Sequence, residues 1–235
     1  MTSTTTDSPV VVGTEDILRH LCDSVARVLT VATGSAVHYA GMVQRIHKTC
    51  LKPDIGCFVL FDGGFSGLVV INFSAVAAME LYERYMLNMG MARDELATTF
   101  TSDEVGNVMG ELMNQCVGDF IGKVARQLQT QITQNQPKML ALTKQVTLSV
   151  DTHLDQPEAR RVSFRTSQNN IFYLELAIDR TEFIKLNDFD ADEAPDPDAL
   201  LAAVGETRAA PSASATATDL PDDDDPEALI RALGV

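Results

Sequence analysis

The sequence predicts an α+β fold built around an antiparallel sheet, and three observations lead to this prediction. Apolar residues recur at helical spacing in three stretches, which begin near Thr14, Ser74 and Thr101. The runs CFVLF and LVVINF flank Asp62-Gly63-Gly64, which is a hairpin signal because glycine supplies the positive φ of tight turns. Further strand-like runs follow the last helix. Since hairpins pair strands antiparallel, the class is α+β rather than doubly wound.

The first predicted helix has Thr14 as its N-cap and ends at Gly34, because apolar side chains recur at helical spacing between these residues. Residues 36–48 favour a strand, with Gly41 as a candidate bulge. The hairpin around the Asp-Gly-Gly turn follows this strand directly. The first half of the chain therefore reads helix, strand and hairpin.

Two more helices follow the hairpin. Ser74 is predicted to cap the second helix, which ends near Asn88. Thr101 and Glu104 have the spacing of a capping box, so they predict the start of the longest helix. The apolar periodicity of that helix fades near Thr130.

Three strands are predicted after the longest helix. Pro137 marks the entry to a strand around residues 143–150. Two further strands near residues 161–166 and 171–178 are joined by a Ser-Gln-Asn-Asn turn. The order of elements is then helix, strand, hairpin, helix, helix and three strands.

Composition divides the 235 residues into a lead-in at 1–13, a folded domain at 14–185 and an acidic tail at 186–235. The tail holds 13 of the 33 acidic residues but 2 of the 18 basic ones, so most of the net charge of −15 belongs to it. Its residues are mainly Pro, Ala, Ser, Thr and Asp, which predicts disorder because little apolar surface can be buried. Neither part offers a basic patch, which argues against nucleic acid as a partner.

Two segments of the tail repeat one pattern: DPDALLAAVG at 196–205 and DPEALIRALGV at 225–235. Each has Asp as an N-cap, Pro at the first helical position and a closing Gly. Two turns of helix are marginal on their own in water. The segments are therefore either compositional accidents or a duplicated docking peptide that folds on a partner not identified by the sequence.

The four cysteines are scattered along the chain: Cys22, Cys50, Cys57 and Cys116. They form no C-x-x-C pair and most lie in or beside apolar stretches, so we interpret them as small buried hydrophobes. His47 precedes Cys50 by three residues, but no second pair completes a zinc site and no metal site is predicted. Without a signal-peptide pattern or an apolar run of about 18 residues, we expect a cytoplasmic protein with no membrane span.

The longest helix carries a polar stripe on one face. At about 100° per residue, Glu111, Asn114 and Gly118 all fall within about 40° of Asn107. The apolar side chains lie on the opposite side of the wheel: residues 105, 108, 109, 112, 113, 116 and 120. The stripe must face outward, where it is either ordinary polar surface or a surface kept clear for a partner.

The stripe has few chemical options because it holds no nucleophile paired with a base and no histidine. A carboxamide such as Asn114 has no useful pKa as a base, but it can orient a water by donating and accepting at once. Phosphoryl transfer needs this positioning of the nucleophile. Glu111, one turn earlier, can pair with a lysine or arginine of a partner. The pattern suits a protein that completes the active site of another.

These residues resemble a known family. The run Gly110-Glu111-Leu112-Met113-Asn114, followed by Gly118, is similar to the G-E-(L/I)-x-N-x-x-x-G helix of CheX chemotaxis phosphatases, which are relatives of CheC and FliY. Pro137 follows Asn114 at the spacing of that superfamily. Upstream, DGGFSGLVVINFS looks like the family's hairpin, whose second strand leads into a helix. The resemblance covers roughly residues 14–180 and leaves the tail outside it.

The resemblance implies a CheX-like α+β fold with long helices packed on one face of the sheet, often dimeric through that sheet. It also implies hydrolysis of the phospho-aspartate of a CheY-like receiver domain. Asn114 would position the water and Glu111 would hold the receiver's active-site lysine, while Asn107, Gly110 and Gly118 would contact the partner. The Mg²⁺ belongs to the receiver, so no cofactor of the protein's own is implied.

Two positions depart from the family pattern. Asn107 stands where the family has Ser or Asp, and Gln115 follows Asn114 where an aliphatic residue is usual. Three hypotheses remain open at this point. The protein is a receiver phosphatase, a non-catalytic CheX-like module that binds a signalling or motor protein, or a dimer whose stripe is plain surface.

Overall fold

The computed structural model of the chain describes residues 11–150 and 152–184. The described residues contain three α-helices: α1 (Thr14–Thr33), α2 (Ala75–Asn88) and α3 (Asp103–Leu128). They also contain eleven strands: β1 (Val11–Val12), β2 (His38–Ile46), β3 (Thr49–Leu51), β4 (Ile55–Gly63), β5 (Gly67–Phe73), β6 (Ile132–Gln134), β7 (Lys138–Ala141), β8 (Leu148–Val150), β9 (Pro157–Arg165), β10 (Ile171–Asp179) and β11 (Phe183–Ile184). The tail motifs at 196–205 and 225–235 lie outside the described residues.

One antiparallel sheet organises the domain. Its strands lie in the order β2, β9, β10, β5, β4 and β6, and β7 pairs with β4 beside β6. Two small ladders, β1 with β11 and β3 with β8, complete the described pairings. The α+β class with an antiparallel sheet is therefore confirmed. One edge of the sheet is the long strand β2, and the other is shared by β6 and β7.

The three helices pack on one face of the sheet. Val69 and Ile71 of β5 point into the same core as the apolar faces of the helices. On the opposite face, Leu68 of β5 and Leu51 of β3 belong to a second, smaller core under the β3–β8 ladder. Because both faces are covered, every residue of β5 is buried. Packing of the helices on one face was expected from the sequence and is confirmed.

The hairpin and the strands that border it form as expected. Gly63 ends β4 with φ 149°, and a Cβ there would lie 2.1 Å from the carbonyl oxygen of Gln131, so only glycine fits this turn. The register of β2 against β9 shifts between Tyr39 and Val43, which places the bulge around Gly41. β9 and β10 occupy the two segments predicted near the end of the domain.

The start of α1 differs from the prediction by one residue. Gly13, not Thr14, is the N-cap, and its amide donates to Asp16 Oδ2 at 3.2 Å. Asp16 lies three residues after Gly13 and supplies only the carboxylate half of a capping box, since glycine has no side chain, and the helix already includes Thr14. The end of α1 is as predicted, because Gly34 adopts the left-handed conformation with φ 61°.

The predicted capping box of α3 is wrong. Ser102, rather than Thr101, is the N-cap, and its Oγ accepts from the amide of Val105 at 3.3 Å. Glu104 instead accepts a hydrogen bond from the hydroxyl of Tyr82 on α2. The same hydroxyl accepts from the amide of Ala97 at 2.9 Å. This tertiary contact competes with the local one, so Glu104 joins α2 to α3 instead of closing the cap.

The strand predicted at 143–150 is largely misplaced. Pro137 does precede a strand, but that strand is β7, and only Leu148–Val150 of the predicted segment is extended. β6 has no counterpart among the predictions. Both β6 and β7 are three or four residues long and exist through pairing with β4, which a local pattern does not reveal.

Glu80 of α2 holds the turn between β9 and β10. Its carboxylate is buried and accepts from Asn170 Nδ2 at 2.8 Å, from the amide of Gln168 at 3.2 Å and from the hydroxyls of Thr166 and Ser167. A buried carboxylate is costly unless donors of this kind surround it. The turn predicted from Ser-Gln-Asn-Asn is therefore anchored from the helical layer.

The cysteines are free thiols, and three of them are buried: Cys22, Cys57 and Cys116. Burial raises the pKa of all three thiols, that of Cys22 to about 12 with a further contribution from Asp23. They contribute apolar surface to the main core, as interpreted from the sequence. Cys50 is only partly covered.

Candidate functional site

The polar stripe lies on the outward face of α3. Asn107, Glu111, Asn114 and Gly118 are all exposed, while the residues on the other side of the helix are buried in the core. Apolar periodicity causes this arrangement, because the buried side chains from Val105 to Val124 fix the rotation of the helix. The predicted orientation of the helix is confirmed.

The stripe opens onto a cleft of about 440 Å³ between α3 and the edge of the sheet. Four of the five predicted site residues line its α3 wall: Asn107, Gly110, Glu111 and Asn114. The facing wall and the end of the cleft are largely formed by Ile55, Pro137, Met139, Ala141 and the segment 100–103. Gly118 lies on the same face of α3 but does not line the cleft.

The two glycines of the motif have different surroundings. A Cβ at Gly110 would lie 3.5 Å from Cγ of Met139, an ordinary van der Waals contact, so β7 approaches α3 closely here. A Cβ at Gly118 would have no neighbour within 4 Å. Neither glycine is required by the folded domain itself. Gly118 leaves the outward surface of α3 low beyond Asn114.

Asn114 is tied to the sheet by one hydrogen bond. Nε2 of Gln134, the last residue of β6, donates to Oδ1 of Asn114 at 2.7 Å. A carbonyl oxygen has two lone pairs, and the amide nitrogen has two protons. The Asn114 carboxamide therefore keeps one acceptor position and its donors for a water in the cleft.

Glu111 is held by a neighbour on its own helix. Nε2 of Gln115 donates to Oε1 of Glu111 at 2.9 Å, one turn along α3. The contact leaves Oε2 for another donor. Gln115 therefore has a definite role at the position where it departs from the family pattern.

The cleft favours a cationic group. Its lining includes the carboxylates of Asp103 and Glu111, and none of the described residues that line it has a basic side chain. An ammonium or guanidinium group that enters the cleft is attracted by these two carboxylates and is not repelled by a basic side chain among the lining residues. The apolar part of the facing wall can cover the stem of such a side chain.

Asp119 fixes the position of α3 against α1. Its carboxylate pairs with Arg27 of α1 and with Nζ of Lys123 at 2.9 Å. Burial by itself raises the pKa of Asp119, but the hydrogen bonds from Arg27 and Lys123 outweigh burial and lower the pKa to about 2. The helix that carries the stripe is thus anchored one residue beyond Gly118.

Within residues 11–150 and 152–184, no group of three or more His, Cys, Asp or Glu side chains is arranged to bind a metal ion. No helix in the described part of the chain is long and apolar enough to cross a membrane.

The contribution of the sheet edge to the site was not predicted, apart from Pro137. Gln134 contacts Asn114 across 20 positions of sequence, and Met139 faces Gly110 from β7. The available signal was the polar run Gln-Asn-Gln before Pro137, because carboxamides beside a strand break are suited to contacting a ligand or another side chain.

The fold is similar to that of several proteins of known structure, among them two CheX chemotaxis proteins. CheX from Desulfovibrio desulfuricans matches with a TM-score of 0.58 and 16% identity, covering 70% of this chain and 99% of that chain. CheX from Vibrio vulnificus matches with a TM-score of 0.57 and 14% identity, covering 70% and 99%. FliY from Thermotoga maritima matches with a TM-score of 0.51 and 18% identity, covering 70% and 86%. These similarities confirm the CheX-like fold.

No curated protein sequence matches the chain. A family model described as "Protein of unknown function (DUF3334)" matches residues 8–235, so it includes the acidic tail as well as the described domain. The chain belongs to the DUF3334 family, and its described domain has a CheX-like fold.

Proposed function

We propose that this protein is a phosphatase that binds the phosphorylated receiver domain of a CheY-like response regulator at the α3 cleft and hydrolyses its phospho-aspartate. The observation that carries the proposal is the Glu111–Asn114 pair. Both side chains are exposed, one turn apart, beside an acidic cleft on a CheX-like fold. A receiver is cytoplasmic, so we expect the same location for this protein.

In the proposed reaction, Asn114 positions a water in line with the phosphorus–oxygen bond of the acyl phosphate. The water oxygen forms a bond to phosphorus, the bond to the aspartate oxygen breaks, and one proton of the water passes to a phosphoryl oxygen, so that the product is dihydrogen phosphate. The aspartate leaves as a carboxylate, so the nucleophile needs positioning more than deprotonation. The Mg²⁺ that balances the charge is expected in the receiver, and no cofactor of this chain takes part.

Glu111 has a separate task in this proposal. Its carboxylate pairs with the active-site lysine of the receiver, which fixes the distance between Asn114 and the phosphoryl group. The absence of basic side chains among the described lining residues of the cleft favours entry of that lysine. Gln115 already orients the carboxylate, so less conformational freedom is lost on binding.

The test is the phosphoryl lifetime of the host's own receivers with and without this protein. We expect at least one receiver to lose its phosphate faster with wild type, and Asn114→Ala to reduce kcat by roughly a hundredfold with little change in binding. Glu111→Gln keeps the shape of the side chain but removes its charge, so it should mainly raise KM. Gln127→Ala, an exposed carboxamide elsewhere on α3, is the matched control and should leave the rate unchanged.

The phosphatase proposal fails if no receiver loses its phosphate faster, or if Asn114→Ala hydrolyses as fast as wild type. One observation favours the non-catalytic alternative: Asn107 lines the cleft at a position where the family pattern has Ser or Asp. A binding module predicts a receiver or motor protein that associates with unchanged phosphoryl lifetime. Titration of the same receivers with a calorimeter separates the two functions.

We also propose that the protein forms a homodimer through the edge strand β2. β2 has a neighbour on one side only within the described sheet, and most of its side chains are exposed. Met42 is 84% exposed, which is unusual for a large apolar side chain on a strand. Pairing of β2 with its copy would cover the backbone groups of this edge.

A further inference from the structure

We propose that Gln134 is a positioning residue that determines which atom of the Asn114 carboxamide faces the cleft. The hydrogen bond from Gln134 Nε2 to Asn114 Oδ1, at 2.7 Å, is the geometric basis. The orientation itself is a property of the folded domain, whereas its catalytic consequence rests on the phosphatase function proposed above. The inference adds a residue of β6 to a site otherwise built on α3.

A carboxamide needs such a restraint because its two ends have nearly the same shape. Rotation about the terminal bond of Asn exchanges oxygen and nitrogen at little steric cost, and this torsion has a broad two-fold profile. An unrestrained Asn114 would present a donor or an acceptor to the same water in different molecules. Nε2 of Gln134 is the donor opposite Oδ1, and while Gln134 keeps this orientation the oxygen of Asn114 faces β6.

Gln134 is itself well placed to act as the restraint. Its backbone belongs to β6, where it pairs with Phe61 of the long strand β4. The contact therefore joins α3 to the sheet rather than two positions on one helix.

The other end of the Gln134 amide gives an independent indication. Oε1 of Gln134 is buried and has no hydrogen-bond partner among the described residues. A buried acceptor without a partner costs about 1–3 kcal/mol, and an apolar side chain would avoid this cost. The hydrogen bond to Asn114 is therefore the contact that accounts for a carboxamide at this position.

Two substitutions separate orientation from simple contact. Gln134→Met keeps the approximate length and volume but removes the donor. Gln134→Glu keeps the shape and, when ionised, offers only acceptors, so Asn114 must turn its Nδ2 toward β6. Gln131→Glu introduces the same charge at an exposed position on the same segment and serves as the matched control.

The first measurement is the exchange of the Asn114 side-chain amide protons with water, followed by NMR and assigned with the Asn114→Ala spectrum. In wild type the Nδ2 protons face the cleft and should exchange freely, whereas those of Gln134 should be protected. In Gln134→Glu at neutral pH, the Asn114 protons should exchange about tenfold more slowly, since they donate to a carboxylate. Gln131→Glu should leave the exchange as in wild type. This measurement requires no receiver.

The second measurement is the dephosphorylation of the responsive receiver. Gln134→Glu and Gln134→Met should lower kcat by about tenfold with KM nearly unchanged. Gln134→Glu should recover as the pH falls through the pKa of the new carboxyl, because the protonated group donates to Asn114 Oδ1 again. Gln134→Met should show no such recovery. A merely structural role for Gln134 would lower the urea midpoint of Gln134→Glu at neutral pH along with kcat, whereas the positioning role leaves the midpoint close to that of Gln134→Met.

The outcomes distinguish this inference from the proposed function. Protected Asn114 protons in wild type, or exchange that is unchanged in Gln134→Glu, would overturn the inference whether or not the protein is a phosphatase. A responsive receiver with unchanged kcat in both variants would overturn its catalytic part. The expected exchange pattern with no responsive receiver would retain the orientation and reject the phosphatase function.

Discussion

Single residues of α3 explain why the helix presents a functional face at a fixed place. Asp119 is the clearest case, because it joins α3 to Arg27 of α1 and to Lys123 beside the end of the stripe. A charge that is paired only in the folded state makes stability depend on pH. The anchoring of the site can therefore be tested without knowing the partner.

The pKa of Asp119 is lowered to about 2 in the folded domain, below its ordinary value of 3.8. A depressed carboxyl pKa contributes stability that is present above the unfolded pKa and lost as the pH falls through the folded one. We expect the urea midpoint of wild type to decline between about pH 4 and pH 2 by more than that of Asp119→Asn. Equal declines in the two proteins would assign the acid sensitivity to other carboxylates.

The residues of the stripe were identified from sequence because helical periodicity is a local property. Asn107, Glu111 and Asn114 could be placed on one face by counting residues alone. Gln134 could not be found in this way, because its contact with Asn114 depends on how β6 meets α3. The same limit applies to Glu80, whose donors lie 86 to 90 positions later in the chain.

At the scale of elements, the turn between β9 and β10 depends on α2 through Glu80. Glu80→Ala leaves several buried donors without an acceptor, so we expect it to lower the free energy of unfolding by about 3 kcal/mol. Glu80→Gln should cost less because one acceptor oxygen remains. Glu83→Ala, the same change one turn away, should have little effect. Urea denaturation measures the free energy of unfolding of all three variants. An unchanged value for Glu80→Ala would mean that the turn is stable without Glu80.

The proposed dimer is also a property of an element. Lysine on an edge strand discourages pairing with another strand, since the charge would have to be buried or repelled. We therefore expect Met42→Lys to shift the protein from dimer to monomer in sedimentation velocity, with an unchanged circular dichroism spectrum. A wild-type protein that is monomeric at micromolar concentration would reject the role given to β2.

Elements with a long apolar pattern could be predicted from the sequence, whereas elements that form only by pairing with a distant strand could not. β5 is a continuous apolar run and α3 has apolar residues at regular helical spacing, so the positions of both elements were predicted to within a few residues. At the start of α3, Thr101 and Ser102 offer equivalent hydroxyls, and the buried position of Val105 selects Ser102. β6 and β7 are too short to have a pattern of their own and were missed for this reason.

For the whole molecule, the uneven distribution of charge along the chain affects the rate at which the protein associates with a partner. The segment 186–235 holds 13 acidic and 2 basic residues, and receivers present acidic groups around their phosphorylation site. Like charges slow association over distances of about a Debye length, roughly 10 Å at 0.1 M salt. The tail is thus expected to reduce the rate of encounter unless it binds a partner of its own.

Removal of residues 187–235 tests this expectation. At low salt, the truncated protein should associate with the receiver proposed above several times faster than the full chain does, and the difference should disappear near 1 M salt because the charges are screened. Stopped-flow fluorescence at both salt concentrations measures the effect. Slower association after truncation would instead indicate that the repeated motifs at 196–205 and 225–235 contribute to binding.

The interrupted edge formed by β6 and β7 has a mechanical consequence for the cleft. Asn135 extends the pairing of β6 through two hydrogen bonds to Leu60 of β4, whereas residues 136 and 137 lie outside both strands and β7 pairs with β4 over a short segment. Segments with few hydrogen bonds open locally at a small cost in free energy, while a long helix packed in the core does not. The two sides of the cleft therefore differ in stiffness: α3 and β6, which are joined through Gln134 and Asn114, form the firmer side, and β7 forms the side that can shift. A partner of slightly different shape is accommodated by adjustment of β7, without disturbing the spacing of Glu111 and Asn114.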